Sequence, residues 1–253
     1  MNTLRAEWTK LRSVRGTAWS LAAIAGLTIA LGVVSCSTSH TDGGVPGGDD
    51  DIVTLSLVGV YFAQVAAVAL GVVAICSEYT TGTIRATFAA NPRRRRVLAA
   101  KTAIVGALVL GAAGVAAFAA FYIGQAILHG NGYVEANGYP AASLSDPTTL
   151  RKVAVAATYP VILSVFSLGV ATIVRATAAA ISLLLGVLFV PWIVAALLPE
   201  HLGNAIQKAT PMAGLAAQEN GAPIDPWAAI VVTVAWAVAA LVVALWLVAR
   251  RDA

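Results

Sequence analysis

The chain has 253 residues, 59% hydrophobic and 11% charged, with a formal net charge of +4. A soluble domain carries about 25% charged residues. Here the charges cluster between long apolar runs, which excludes an ordinary soluble core. The basic balance does not indicate a nucleic-acid site, because Lys and Arg are confined to short segments between those runs.

Residues 2–15 place Leu4, Trp8 and Leu11 at helical spacing, with Arg5, Lys10 and Arg12 off that face. The pattern predicts a short helix lying in the membrane interface, with Trp8 at headgroup level. Six uncharged stretches follow, at 18–35, 52–76, 102–128, 153–174, 178–198 and 227–249. Each is long enough to cross ~30 Å of hydrocarbon. In lipid the backbone must satisfy its own hydrogen bonds, so each reads as a helix. Only Arg175, Ala176 and Thr177 separate the fourth from the fifth, which makes a tight helical hairpin.

Thirteen of the sixteen Lys and Arg residues fall in the N-terminal segment, the loop after the second span, the short turn at Arg175 and the C-terminus. Basic short loops stay cytoplasmic. Both termini are therefore expected inside, on the cytoplasmic face, with 36–51, 129–152 and 199–226 outside. Nine of the twelve acids lie in these outer segments. The first outer loop, rich in Gly, Ser, Thr and Asp, reads as a flexible connector. Asp146-Pro147 is a helix start. Leu198, Leu202, Ile206 and Ala209 predict a short amphipathic helix ending at Thr210-Pro211, and the apolar piece 212–217 predicts a second, both dipping into the outer leaflet. Cys36 and Cys76 end their spans on opposite sides, too far apart for a disulfide. The expected class is an all-α polytopic membrane protein, one domain over 1–253.

In the loop between spans two and three, Thr80 or Thr81 caps a short helix that carries Ile84 and Phe88 on one side. Asn91 caps the next helix, with Pro92 at its first position. The run Arg93, Arg94, Arg95, Arg96 opposes that helix's dipole by ~0.3–1 kcal/mol each. Orientation during insertion and contact with anionic lipid, at ~1 kcal/mol per basic residue, account for it. They do not account for the polar stretch Glu78-Tyr79-Thr80-Thr81-Gly82-Thr83 at the end of an apolar helix.

Three segments carry a resemblance: Glu7-Trp8-Thr9-Lys10-Leu11-Arg12, the stretch 78–85, and Pro92 with the four arginines leading into the third span. Together with the span pattern they make the chain similar to bacterial type-2 ABC export permeases over essentially its whole length. The resemblance implies that the segment after span two is a cytoplasmic coupling helix docking on an ATPase subunit, with Glu78, Tyr79, Thr80, Thr81, Gly82 and Arg85 as contacts. It also implies two ATPase copies, which bind ATP and Mg, and a second permease copy, identical or similar, to complete the path. The function it implies is export of an amphipathic or hydrophobic substrate such as a drug, antibiotic, peptide or lipid.

No Gly-Lys pair occurs, so the chain has no phosphate loop of the GxxxxGK[ST] type, and ATP hydrolysis is expected in a separate polypeptide. No cofactor, metal or catalytic set is expected in this chain. His40, His129 and His201 all lie in or beside outer segments. The six stretches hold no ionisable group, which argues against an ion-coupled carrier. Gln64 and Gln125 either face a cavity or make interhelical hydrogen bonds. Tyr159-Pro160 and Pro191 predict kinks, and Gly111 and Gly114 predict close helix approach. A non-transporting membrane sensor or anchor that recruits a cytoplasmic protein is the other class left open.

Overall fold

The computed structural model describes residues 6–10, 15–40, 51–84, 94–137, 139, 142–217 and 224–250. Among them the regular structure is helical, with no strand. After a helical turn at 6–10 come α1 (Arg15–Thr38), α2 (Ile52–Leu57), α3 (Val60–Thr80), α4 (Arg94–Gly130), α5 (Pro147–Val174), α6 (Thr177–Leu197), α7 (Glu200–Ala209), α8 (Ala213–Ala216) and α9 (Pro226–Arg250). Six units are long and apolar enough to cross a bilayer: α1, α2 with α3, α4, α5, α6 and α9. The chain has the character of a transmembrane helical protein.

Successive spans put Arg15, Glu78, Arg94–Arg96, Arg175 and Arg250 on a basic face. Asp51, Glu135, Asp146, Glu200 and Asp225 lie on the opposite, acidic face. Tryptophans mark both boundaries, with Trp19 and Trp246 toward the basic face and Trp192 and Trp227 toward the acidic one. All four are exposed on the protein surface, where an aromatic ring sits at headgroup level.

Local chemistry sets the helix ends. Asp51 caps α2, accepting from Val53 N at 3.0 Å and Thr54 N at 3.2 Å. Asp146 caps α5 through Thr149 N at 3.0 Å, with Pro147 in the first turn where its missing N–H costs nothing. Asp225 caps α9. Arg175 ends α5 in the left-handed region (φ 62°) and returns its N–H to Ala171 O at 2.8 Å. That single residue makes the predicted hairpin turn.

Spans two and four are the most buried and α5 is the hub, packing against α3, α4 and α9. Lipid supplies no hydrophobic drive between helices, so association relies on close backbone approach and interhelical hydrogen bonds. Gly71 is such a contact: a Cβ there would overlap Ser164 O and Ser167 Oγ of α5. On α9 the buried stripe is Ala229, Thr233, Ala237, Ala240, Ala244 and Val248, nearly all small. Pro160 and Pro191 lie inside the continuous helices α5 and α6.

One sequence expectation is corrected. Gly111 and Gly114 face open space, with nothing within 4 Å of a Cβ. A GxxG spacing identifies small residues but not the face they occupy. The α8 segment is a short helix buried against the last span, with Gly214 N donating to Thr233 Oγ1 at 3.1 Å. The helices also run past the uncharged stretches and carry buried charges at their ends, Glu78 and Lys101 at one face and Lys152 at the other. Cys36 and Cys76 are both free, as expected.

Gly71→Leu is expected to lower thermal stability by about 1–3 kcal/mol, the typical cost of overpacking, while Gly111→Leu leaves it within about 0.5 kcal/mol. Fluorescence-detected thermal unfolding of the purified protein measures both. Equal shifts in the two variants would sink the assignment of the contact.

Candidate functional site on the basic face

The helical turn at 6–10 presents Glu7 inward, 1% exposed, while Trp8 points out at 44%. Leu4 and Leu11, the other apolar positions of the expected interfacial helix, lie outside the described residues. Glu7 meets the ends of spans two and three. Lys101, also 1% exposed, places Nζ 2.6 Å from Glu7 Oε2 and donates to Glu78 Oε1 at 2.9 Å. Lys10 Nζ donates to Glu7 Oε1 at 2.8 Å and to Glu78 Oε1 at 3.2 Å. Among the described residues, two carboxylates and two ammonium groups thus form a cluster that joins three segments far apart in sequence.

Burial at Glu7 opposes ionisation, but Lys101 and Lys10 outweigh it and hold the carboxyl below its usual value. Burial likewise opposes the charge on Lys10, and Glu7 and Glu78 outweigh it, raising the ammonium's pKa. Both groups are more readily charged in the folded protein than free in water. Glu78 Oε2 is buried with no hydrogen-bond partner among the described residues.

The cluster fixes the end of α3. From there Thr80, Thr81, Gly82 and Thr83 are exposed in sequence, and Ile84 turns back into the core. Gly82 adopts φ +70°, a conformation that favours glycine over any side chain. Thr81 Oγ1 donates to Ser77 O at 2.8 Å and lies 2.9 Å from Thr83 Oγ1, which ties the turn down. Tyr79 is half-buried with the Arg175 guanidinium 5.3 Å from its ring centre. Of the expected contact residues, then, Thr80, Thr81 and Gly82 are on the surface, Tyr79 packs on the hairpin turn, and Glu78 lies inside the cluster. Arg85 and Arg93 lie outside the described residues, while Arg95 and Arg96 are exposed and Arg94 is half-buried.

Sequence reasoning missed the cluster itself. Glu7 was visible only as part of a motif and Lys101 only as one more basic loop residue. The one local signal was an acid, Glu78, and a base, Lys101, each beside an apolar stretch.

Gln64 takes the interhelical alternative. It is fully buried, accepts from Tyr159 Oη at 3.1 Å through Oε1, and donates to Tyr61 O at 2.8 Å. Gln125 instead lines a cleft at the acidic face, donating to Ala142 O at 2.8 Å. At that face Lys152, 5% exposed, pairs with Asp51 and donates to Thr54 Oγ1 at 3.2 Å. No protein-family model and no curated protein matches this chain.

Removing one member of a buried ion set leaves the others uncompensated. Lys101→Met is expected to destabilise the protein by about 3–5 kcal/mol, and adding Glu7→Gln to recover part of that loss. Glu7, with its lowered value, stabilises the fold fully above the ordinary carboxylate range and loses that contribution as pH falls through the folded value. Acid titration of thermal stability should therefore be shallower in Glu7→Gln than in the wild type.

Proposed function

We propose that this chain is the membrane-spanning permease subunit of an ATP-driven ABC exporter in a bacterial plasma membrane, its termini cytoplasmic. A separate ATPase, in two copies, binds ATP and Mg and docks on the basic face. The observation that carries the reading is the exposed turn from Thr80 to Thr83, set on a rigid base by the Glu7–Lys10–Glu78–Lys101 cluster. A polar turn so firmly anchored, at the end of the most buried span, suits a lever that takes force from outside the membrane.

Four further features support it. The sequence has no phosphate loop, so the energy source is another polypeptide. Among the described residues, buried charges sit only toward the two faces, with α2 and α3 between Asp51 and Glu78. The interior between them is neutral, which suits an amphipathic or hydrophobic substrate better than a coupling ion. Spans one and five are the least buried and offer faces to a second permease copy. The exposed arginines at the start of α4 fit contact with anionic lipid.

The carboxylate of Glu78 is structural on this reading, and the surface threonines and Gly82 make the contact. Replacing Thr80 and Thr81 together by Glu is expected to reduce co-purification of the co-expressed ATPase at least tenfold without shifting the permease's thermal midpoint. An ATPase that binds and hydrolyses ATP equally well against this variant would rule out the docking assignment. Absence of any ATP-binding partner would favour the sensor.

A further inference from the structure

The cleft that Gln125 lines lies at the end of α4 opposite the basic-face cluster. It lies where α4 emerges at the acidic face and encloses about 700 Å³. Small-molecule sites span roughly 300–1,000 Å³. The loop that walls it is folded. Asn131 Nδ2 donates to Cys36 O at 2.9 Å and Ser39 O at 3.0 Å, pinning the turn to the end of α1. Tyr133 N and Tyr139 N return to Leu128 O at 3.0 Å and Val134 O at 3.2 Å, and Asn137 Nδ2 donates to Gly132 O at 2.7 Å. A ligand would meet a preformed wall, with little ordering entropy to offset its contacts.

The described lining has one kind of chemistry. Tyr133 and Tyr139, both largely buried, pack with tilted rings at 4.8 Å between centres and form the floor of the cleft. Tyr122, 60% exposed, stands on α4 as a third ring. Glu135 is the one carboxylate, exposed, on a short 3₁₀ turn, and the lining contains no Lys or Arg. His129 and Gln125 add neutral polar atoms, and the remainder is aliphatic. Aromatic faces attract cations, a carboxylate adds opposite charge, and the aliphatic part accepts an apolar body. An anionic head would find no fixed positive charge to pair with. The same face carries nine acids against three basic residues in its connecting segments, which raises the local concentration of cations.

We propose that this cleft binds an aromatic organic cation from the solution on the acidic face. The same cationic chemistry occurs on the choline headgroup of a lipid, but that headgroup also brings a phosphate, for which the described lining has no Lys or Arg. The site does not depend on the exporter reading, since binding requires neither an ATPase nor a second copy.

The test is saturation binding of ethidium to the purified full chain, followed by fluorescence anisotropy, once in maltoside micelles and once in phosphatidylcholine nanodiscs with empty nanodiscs subtracted. Saturable binding is expected in both. Glu135→Gln and Tyr122→Ala, both at exposed positions, are each expected to weaken it about fivefold or more. Tyr122→Phe keeps the ring and is expected to retain wild-type affinity within about twofold. No saturable binding by the wild type overturns the proposal, as do unchanged affinities in Glu135→Gln and Tyr122→Ala. Binding in micelles that vanishes in phosphatidylcholine assigns the cleft to the lipid headgroup and overturns the soluble ligand. ATPase co-purification is unaffected by any of these outcomes, so the two readings fail separately.

Discussion

Hydrocarbon offers a buried polar group no partner except its own protein, and that constraint arranges the whole molecule. Each charge that enters the helical body is paired near a face. Lys152 joins Asp51 and Thr54 at the acidic end, and Lys101 joins Glu7, Glu78 and Lys10 at the basic end. Between those ends the polar contacts are neutral and self-contained. Gln64 bonds Tyr159, and Ser164 and Ser167 turn back onto their own helix while Gly71 closes against them. Spans two and four are thereby joined by charge at the acidic end and by hydrogen bonding and close approach along the rest of their contact.

Most of the architecture was legible because it depends on length and composition. Uncharged runs of about twenty residues admit one structure in lipid, and caps such as Asp146 with Pro147 fix a helix start through local chemistry alone. What escaped the sequence depends on which way a residue faces. Gly111 and Gly114 have a packing motif's spacing but point outward, whereas Gly71, with no motif around it, makes the close contact. Gln64 and Gln125 were equivalent as sequence and differ in place: one faces a neighbouring tyrosine, the other a cleft.

The basic-face cluster escaped for another reason. Its members lie at positions 7, 10, 78 and 101, and a pairing across such separations leaves no periodic trace. The arginine run was the louder signal because its charges are adjacent, yet Arg95 and Arg96 are exposed and screened, where a charge contributes little to the fold. Lys101 is a single residue at the edge of an apolar run, and burial gives its charge far more consequence. Prominence in sequence follows clustering, whereas energetic weight follows desolvation.

The composition of the cluster also bears on how force would pass through it. Among the described residues two positive and two negative groups interlock, so the N-terminal turn and the ends of spans two and three are tied to one another by charge. A single buried ion pair would hold two segments and leave the third to hydrophobic contact, which is weak between helices in lipid. With Glu78 accepting from both lysines at one oxygen, displacement of any one segment would leave a buried charge short of a partner, at a cost of several kcal/mol. Such an arrangement resists internal deformation but tolerates motion as a body. On the proposed exporter reading, that is the property required where an external lever meets the membrane helices.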